Sequence, residues 1–389
     1  MTGMIIQSAD RLENVQEYYF SKKLAQLALM RSEGKDVINL GIGSPDMAPE
    51  DSVISALYNT AKEKSSHGYM GYRGLQELRD AMAIWYFKTY GVKLDREHEV
   101  LPLMGSKEAI MHISMAFLNK GDKVLVPNPG YPAYSAVTEL MQAEIMNYDL
   151  MRDNWYPDFD LLEKEDLSGV KLMWVNYPNM PTGQPASKDI FEKIISFAKK
   201  HSILVINDNP YSLVLNKEKP LSILSVAGAK EVALELNSMS KSHNMAGWRV
   251  GMLMGMKAYL DVVLRVKSNM DSGMFKGIQI AAVEALNLDE SFHDAINKQY
   301  SKRREVVYQI YDLLECSYSK NQEGMFVWAK LPDSVSSAEA FIENILDKTF
   351  VFITPGFIFG SNGDRYLRIS LCAGVEVFEE ALERLKNKL

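Results

Sequence analysis

Residues 171–212 read KLMWVNYPNMPTGQPASKDIFEKIISFAKKHSILVINDNPYS, and their pattern decides the fold. KLMWVNY (171–177) is a near-continuous apolar run of strand length. After a stretch rich in proline and glycine comes KDIFEKIISFAKK (188–200), where Ile190, Phe191, Ile194, Ile195 and Ala198 share one helical face. ILVIND (203–208) is a second buried strand, ending on a carboxylate and the polar turn DNPYS. Apolar strand, amphipathic helix, apolar strand is the unit of a parallel sheet covered on both faces.

The same alternation recurs on either side. EVLPLM (99–104), KVLVPN (123–128), EIMNYDL (144–150), VALELN (232–237) and VGMLMG (250–255) complete a set of seven strand candidates. The expected fold is therefore α/β, with a mostly parallel seven-stranded sheet flanked by helices. No internal repeat or low-complexity linker interrupts it. In such sheets ligands gather beyond the carboxyl ends of the strands. The segments found there are GSKEA, PNPGYPAY, NYPNMPTG, DNPYS and SMSKSHN, five polar or glycine-bearing loops aimed at one rim.

Bulk properties narrow the classes of function. The chain has 389 residues and a formal net charge of −7, which disfavours a nucleic-acid surface, since phosphate binding needs concentrated Lys and Arg. No apolar run approaches membrane-spanning length, and MTGMIIQSADRLENV lacks the cationic start and apolar core of a secretion signal. The two cysteines, Cys316 and Cys372, make no metal-like spacing with each other or with the six histidines, so no metal is expected and a cytoplasmic location is. The 22 methionines read as adaptable core filling.

The rim residues can be read as chemistry. Ser106 and Lys107 open a helix after a strand, where free backbone N–H groups and a hydroxyl suit a phosphate, although a plain helix cap reads the same way. No Walker-type or dinucleotide glycine spacing occurs, so the phosphate is not an ordinary nucleotide's. Asp208, ending a buried strand, is costly without a cation; a protonated ring nitrogen would serve, although a cap on the next helix reads the same way. Tyr211 and Asn179 could reach a phenolate oxygen, and Tyr131 could lay its ring on a planar ligand. Phosphate, charged aromatic nitrogen and phenolate together describe pyridoxal 5′-phosphate. Lys241, crowded by Ser238, Ser240 and Ser242 and followed by Arg249, then reads as its Schiff-base nucleophile.

SMSKSHNMAGWRVG (238–251), NYPNMPTG, DNPY and the C-terminal RYLRISL, in that pattern, resemble fold-type I pyridoxal-phosphate enzymes of the class I/II aminotransferase family over nearly the whole chain. The resemblance implies an aspartate aminotransferase-like fold with a smaller α+β domain. Its implied boundaries are an N-terminal arm and part of the small domain over 1–47, a large cofactor-binding domain over 48–286, and a small C-terminal domain over 287–389. It implies that Lys241 carries the cofactor and moves the substrate's proton, that Asp208 pairs with the ring nitrogen, and that Asn179 and Tyr211 bind the phenolate oxygen. Tyr131 would stack on the ring, while Ser106, Lys107, Ser238, Ser240 and Arg249 would surround the phosphate. Tyr69 in HGYMGYRG resembles the tyrosine that reaches the neighbouring subunit's phosphate, which implies a homodimer with shared sites.

Arg368 lies in RYLRISL, where Leu367, Ile369 and Leu371 alternate with Tyr366, Arg368 and Ser370. An arginine on the polar face of a half-buried strand makes a bidentate carboxylate clamp, or else a solvated edge residue. The family pattern gives it the substrate α-carboxylate, with the backbone at Gly43 closing from the N-terminal side. HGYMGYRG, SHNMAGWR and KSNMDSGMF resemble the branch of LL-diaminopimelate aminotransferases and related enzymes. There Tyr18 fits a substrate-side tyrosine, or else packs in an amphipathic helix, and distal-group selectivity would lie near Tyr18 or the partner's Asp271–Gly273 segment. That resemblance implies transamination of an L-amino acid, such as LL-diaminopimelate, aspartate or alanine, with 2-oxoglutarate. The same fold also hosts β- and γ-eliminating lyases, and non-catalytic effector-binding proteins, so both stand as alternatives.

Overall fold

A computed structural model describes residues 6–12, 19–151 and 153–389. Its largest sheet has seven strands in the spatial order Val100–Leu103, Gly251–Met254, Ala233–Ser238, Leu204–Asp208, Val170–Val175, Lys123–Asn128, Glu144–Asp149. All seven sequence-predicted strands are present, each within two residues of its expected bounds. Four of the six pairings are parallel. Gly251–Met254 runs antiparallel to both of its neighbours. The connection from Ser238 to Gly251 carries only a four-residue helix, Met239–Ser242, and a 3-10 turn, Ala246–Trp248, too little for a parallel crossover.

Both faces of this sheet are apolar, and the alternation within a strand divides the residues between them. Met173 and Val175 enter the core that packs on the helices Gln76–Tyr90 and Lys188–His201. Leu172 and Trp174 enter the opposite core, against Ser106–Phe117 and Pro132–Leu140. The helix Lys188–His201 starts where Ser187 Oγ accepts the Ile190 N–H (3.2 Å), and ends where Ser202 takes a left-handed conformation (φ 57°). It buries Ile190, Phe191, Ile194, Ile195 and Ala198, the face expected from the sequence.

A third core unites both ends of the chain. There Phe326–Lys330 pairs antiparallel with Tyr366–Ser370, which also pairs with Thr354–Pro355. Ile38–Asn39 pairs parallel with Val351–Phe352, bringing the following segment, Gly41–Gly43, to the strand-end rim. Tyr366–Ser370 is buried at every position rather than on alternate ones, which corrects the half-buried reading of that strand.

Candidate active site

Register brings the rim residues together. Gly251 lies opposite Leu103 on one side and Ser238 on the other. The chain just beyond Leu103, just beyond Ser238 and just before Gly251 therefore meets at one point. Gly105, Ser106, Lys241 and Arg249 occupy those positions. Gly105 has φ +92°, and a Cβ there would lie 2.1 Å from Arg249 Nη2, so both conformation and space demand glycine. Arg249 itself sits at φ 58°, a strained position for a non-glycine residue. Its Nη1 donates to the Ala246 carbonyl (3.0 Å) and approaches Ser240 Oγ (3.5 Å). Ser238 Oγ caps the short helix, accepting the Ser240 N–H (3.1 Å) and bonding Ser240 Oγ (2.9 Å). Ser106 Oγ is buried without a hydrogen-bond partner at the start of the helix Ser106–Phe117. Hydroxyls, a guanidinium and a helix N-terminus converge here, an arrangement suited to an anion.

These groups line a cavity of about 560 Å³ that also includes Lys107, Tyr131, Asp208, Tyr211, Gly43 and Arg368. Lys241 Nζ donates to the Gly43 carbonyl. Burial pulls its pKa below that of an ordinary lysine; Arg368 and Arg249 add to the fall and Asp208 opposes it. Asp208 is buried, and desolvation raises its carboxyl pKa to about 7 despite the hydrogen bond from Tyr134 and the charge of Lys241. Its Oδ2 accepts from Tyr134 Oη (3.0 Å), while Oδ1 is buried with no partner. Tyr134 is held by stacking on Trp174 (4.9 Å, 4°), and Tyr131 meets it edge-on (5.5 Å, 89°). Burial raises the Tyr211 phenol above its usual range, keeping it a neutral donor, and its ring meets Phe326 edge-on (5.8 Å).

Arg368 is 4% exposed, which removes the solvated-edge reading. Its Nη2 donates to the Gly41 carbonyl (2.9 Å), its Nη1 points at Met180 Sδ (3.3 Å), and its guanidinium lies over Phe326 (4.0 Å) and Phe359 (4.5 Å). Gly41 and Gly43 are glycines for close approach: added Cβ atoms would lie 2.5 Å from Thr354 Oγ1 and 2.4 Å from Phe326 Cζ. Their carbonyls can therefore reach Arg368 and Lys241. An unpartnered carboxylate oxygen, an unpartnered hydroxyl and a desolvated amine in one cavity fit a ligand with a cationic ring nitrogen, a carbonyl carbon and an anionic tail.

Not every expected residue joins them. Asn179 is buried but is not among the cavity-lining residues: its Oδ1 accepts from Thr182 Oγ1 (2.7 Å) and its Nδ2 donates to the Asn176 carbonyl (3.2 Å). This corrects its expected placement. The loop instead presents Asn176 and Met180. Tyr69 is 89% exposed, outside the cavity of its own chain. Tyr18 lies outside the described residues. Asp271 makes a buried ion pair with Lys267 (2.9 Å) beside Glu108 and His112, and Gly273 packs against the Met70 carbonyl next to Tyr69. Sequence reasoning missed Tyr134, Asn176 and Met180. Tyr134 had a signal, standing three residues after Tyr131 at helical spacing.

Comparison with known proteins agrees with this geometry. The family model for aminotransferase class I and II matches residues 35–385. LL-diaminopimelate aminotransferase from Dehalococcoides mccartyi is 39% identical over 96% of this chain and 97% of its own length. The enzyme of that name from Halothermothrix orenii is 38% identical over 98% of each chain. Apo-BacF from Bacillus subtilis superposes with a TM-score of 0.94 at 34% identity, covering 99% of both chains. The chain belongs to the class I and II aminotransferases, whose members are in general pyridoxal-phosphate-dependent transaminases. No helix among the described residues is long and apolar enough to cross a membrane.

Proposed function

We propose that this chain moves an amino group between an L-amino acid and a 2-oxo acid, using pyridoxal 5′-phosphate bound at the strand-end cavity. When bound, the cofactor supplies an electrophilic carbonyl carbon and an electron-withdrawing ring. The chain's residues do the rest. Lys241 attaches the cofactor through an amine whose neutral form burial favours. Released by the incoming amino acid, Lys241 Nζ would be the base that carries the proton removed from the substrate α-carbon. Asp208, whose Oδ1 is buried without a partner, would hold the ring nitrogen and, through its negative charge, keep it protonated. Tyr211 would donate to the ring oxygen and Tyr131 would cover the ring face. Ser106, Lys107, Ser238, Ser240 and Arg249 hold the phosphate, and Arg368 with the Gly43 backbone holds the α-carboxylate.

The observation that carries this reading is the convergence of a desolvated lysine amine and a buried aspartate with one unpartnered oxygen in a single cavity. We place the division of the chain at residues 47 and 286, the working unit as a homodimer in which Tyr69 reaches its partner's phosphate, and the protein in the cytoplasm. The exposure of Tyr69 and the free thiols of Cys316 and Cys372 support the last two. The test is the half-reaction: an amino acid alone should convert the bound cofactor to its amine form with stoichiometric release of a 2-oxo acid. Release of ammonia with the cofactor unchanged would make the protein a lyase instead.

A further inference from the structure

We propose that the amino acid preferred by this site carries an apolar side chain, aromatic or long and aliphatic, rather than a second charged end. The inference rests on the transaminase reading and names its substrate class. With the α-carboxylate at Arg368, the side chain of a bound amino acid starts beside that guanidinium, where the described side chains in contact with it are apolar. Phe326 and Phe359 lie 4.0 and 4.5 Å from it, Phe20 lies at 5.7 Å, and Met180 Sδ is 3.3 Å from Nη1. Leu24 is one helical turn on from Phe20 along Tyr19–Ser32, so the two share a face, and both line the cavity. Ile42 lines it as well, held between Gly41 and Gly43 by close approaches that fix the backbone. Leu24 and Ile42 are 38% and 42% exposed, large apolar side chains bordering an open cavity.

Among the described residues of one chain, the charged ones offer no second station. Among the described residues lining the cavity the charged ones are Lys107, Asp208, Lys241, Arg249 and Arg368. The first four stand at or beside the strand-end rim of the seven-stranded sheet, where the cofactor is placed. Arg368 takes the α-carboxylate. Among the described residues a distal ammonium would find Asp208 as the only lining carboxylate, and a distal carboxylate would have to enter among Phe20, Leu24 and Ile42. Desolvating either charge against that wall is unfavourable, whereas an apolar side chain gains from the same burial. LL-diaminopimelate, named for the curated relatives, carries both distal charges.

Two measurements on the cofactor-loaded protein test this. Single half-reactions should give phenylalanine, leucine and methionine a kcat/KM about 10-fold or more above aspartate and LL-diaminopimelate. Aspartate or LL-diaminopimelate reacting as fast as the apolar amino acids would overturn the preference while leaving transamination intact. If no amino acid converts the cofactor, the transaminase reading falls and takes the preference with it. The second measurement needs no turnover: heptanoate and heptanedioate, equal in length and differing only in the distal carboxylate, are titrated calorimetrically. Heptanoate should bind about 10-fold tighter, and equal or tighter binding of heptanedioate would overturn the proposal. Ile42→Ala should lower the phenylalanine-to-alanine ratio of kcat/KM about 10-fold; an unchanged ratio would remove Ile42 from the specificity wall.

Discussion

Asp208 shows how one side chain can cost stability until its ligand arrives. In an unfolded chain an aspartate ionises near pH 4. Folded and without cofactor, Asp208 keeps its proton to about 7 because burial penalises the anion. Between those values the unfolded chain releases a proton that the folded chain retains. Stability present below about pH 4 is therefore lost as pH rises to about 7, by at most about 4 kcal/mol at about 1.4 kcal/mol per unit. Asp208→Asn removes this effect. Urea unfolding of the cofactor-free proteins should show the variant gaining on the parent across that window, and a flat difference would contradict the burial argument. With cofactor present the order should reverse in activity, the variant losing several orders of magnitude in proton transfer. Arg368→Lys addresses the other end of the substrate. A lysine cannot copy a two-bond guanidinium clamp, and losing a buried bidentate partner costs roughly 3–5 kcal/mol. Both half-reactions should lose about two to three decades in kcat/KM, with cofactor affinity retained. An Arg368→Lys enzyme of near-parental kcat/KM would remove the clamp.

At the scale of elements, the strand Gly251–Met254 matters most, because its antiparallel direction delivers Arg249 to the same rim as Ser106 and Lys241. Gly105 is the hinge of that arrangement. Gly105→Ala places a methyl 2.1 Å from Arg249 Nη2 at a backbone φ of +92°, a strain of about 1–3 kcal/mol. The Kd for the cofactor should rise about 10-fold or more, read by equilibrium dialysis. Gly247→Ala, with open space around it, is the control and should change nothing. These elements were unequally legible in the sequence. The strands and the helix Lys188–His201 could be read because periodicity reports which face is buried. The loop 176–184 could not, because a loop has no period. Which of its side chains faces the cavity is settled by local bonds: Asn176 Oδ1 takes the Met180 N–H (2.7 Å), and Thr182 claims the Asn179 amide oxygen. An asparagine in a strand-end loop looked like a ligand, yet it is spent holding the loop.

Across the whole molecule, the site is assembled from segments more than three hundred residues apart. Gly41 and Arg368 bond across it, and Phe20, Phe326 and Phe359 surround one guanidinium. The strand ends of the large sheet could be anticipated, since each follows its own apolar run. The aromatic wall could not, because it depends on how the two ends of the chain fold together in their own core. Tyr69 extends the same logic between chains. If sites are shared, mixing Lys241→Ala and Tyr69→Ala chains should restore activity above either variant alone, because one site per mixed dimer regains both residues. No recovery, with mixed dimers verified by mass spectrometry, would confine each site to one chain. Lys241 is the residue that would carry the cofactor, and borohydride reduction followed by peptide mapping identifies the lysine. One stable cofactor adduct per chain should form, on Lys241, and be absent from a folded and inactive Lys241→Ala variant. An adduct on Lys107, or visible cofactor absorbance that survives borohydride with no lysine labelled, would contradict it.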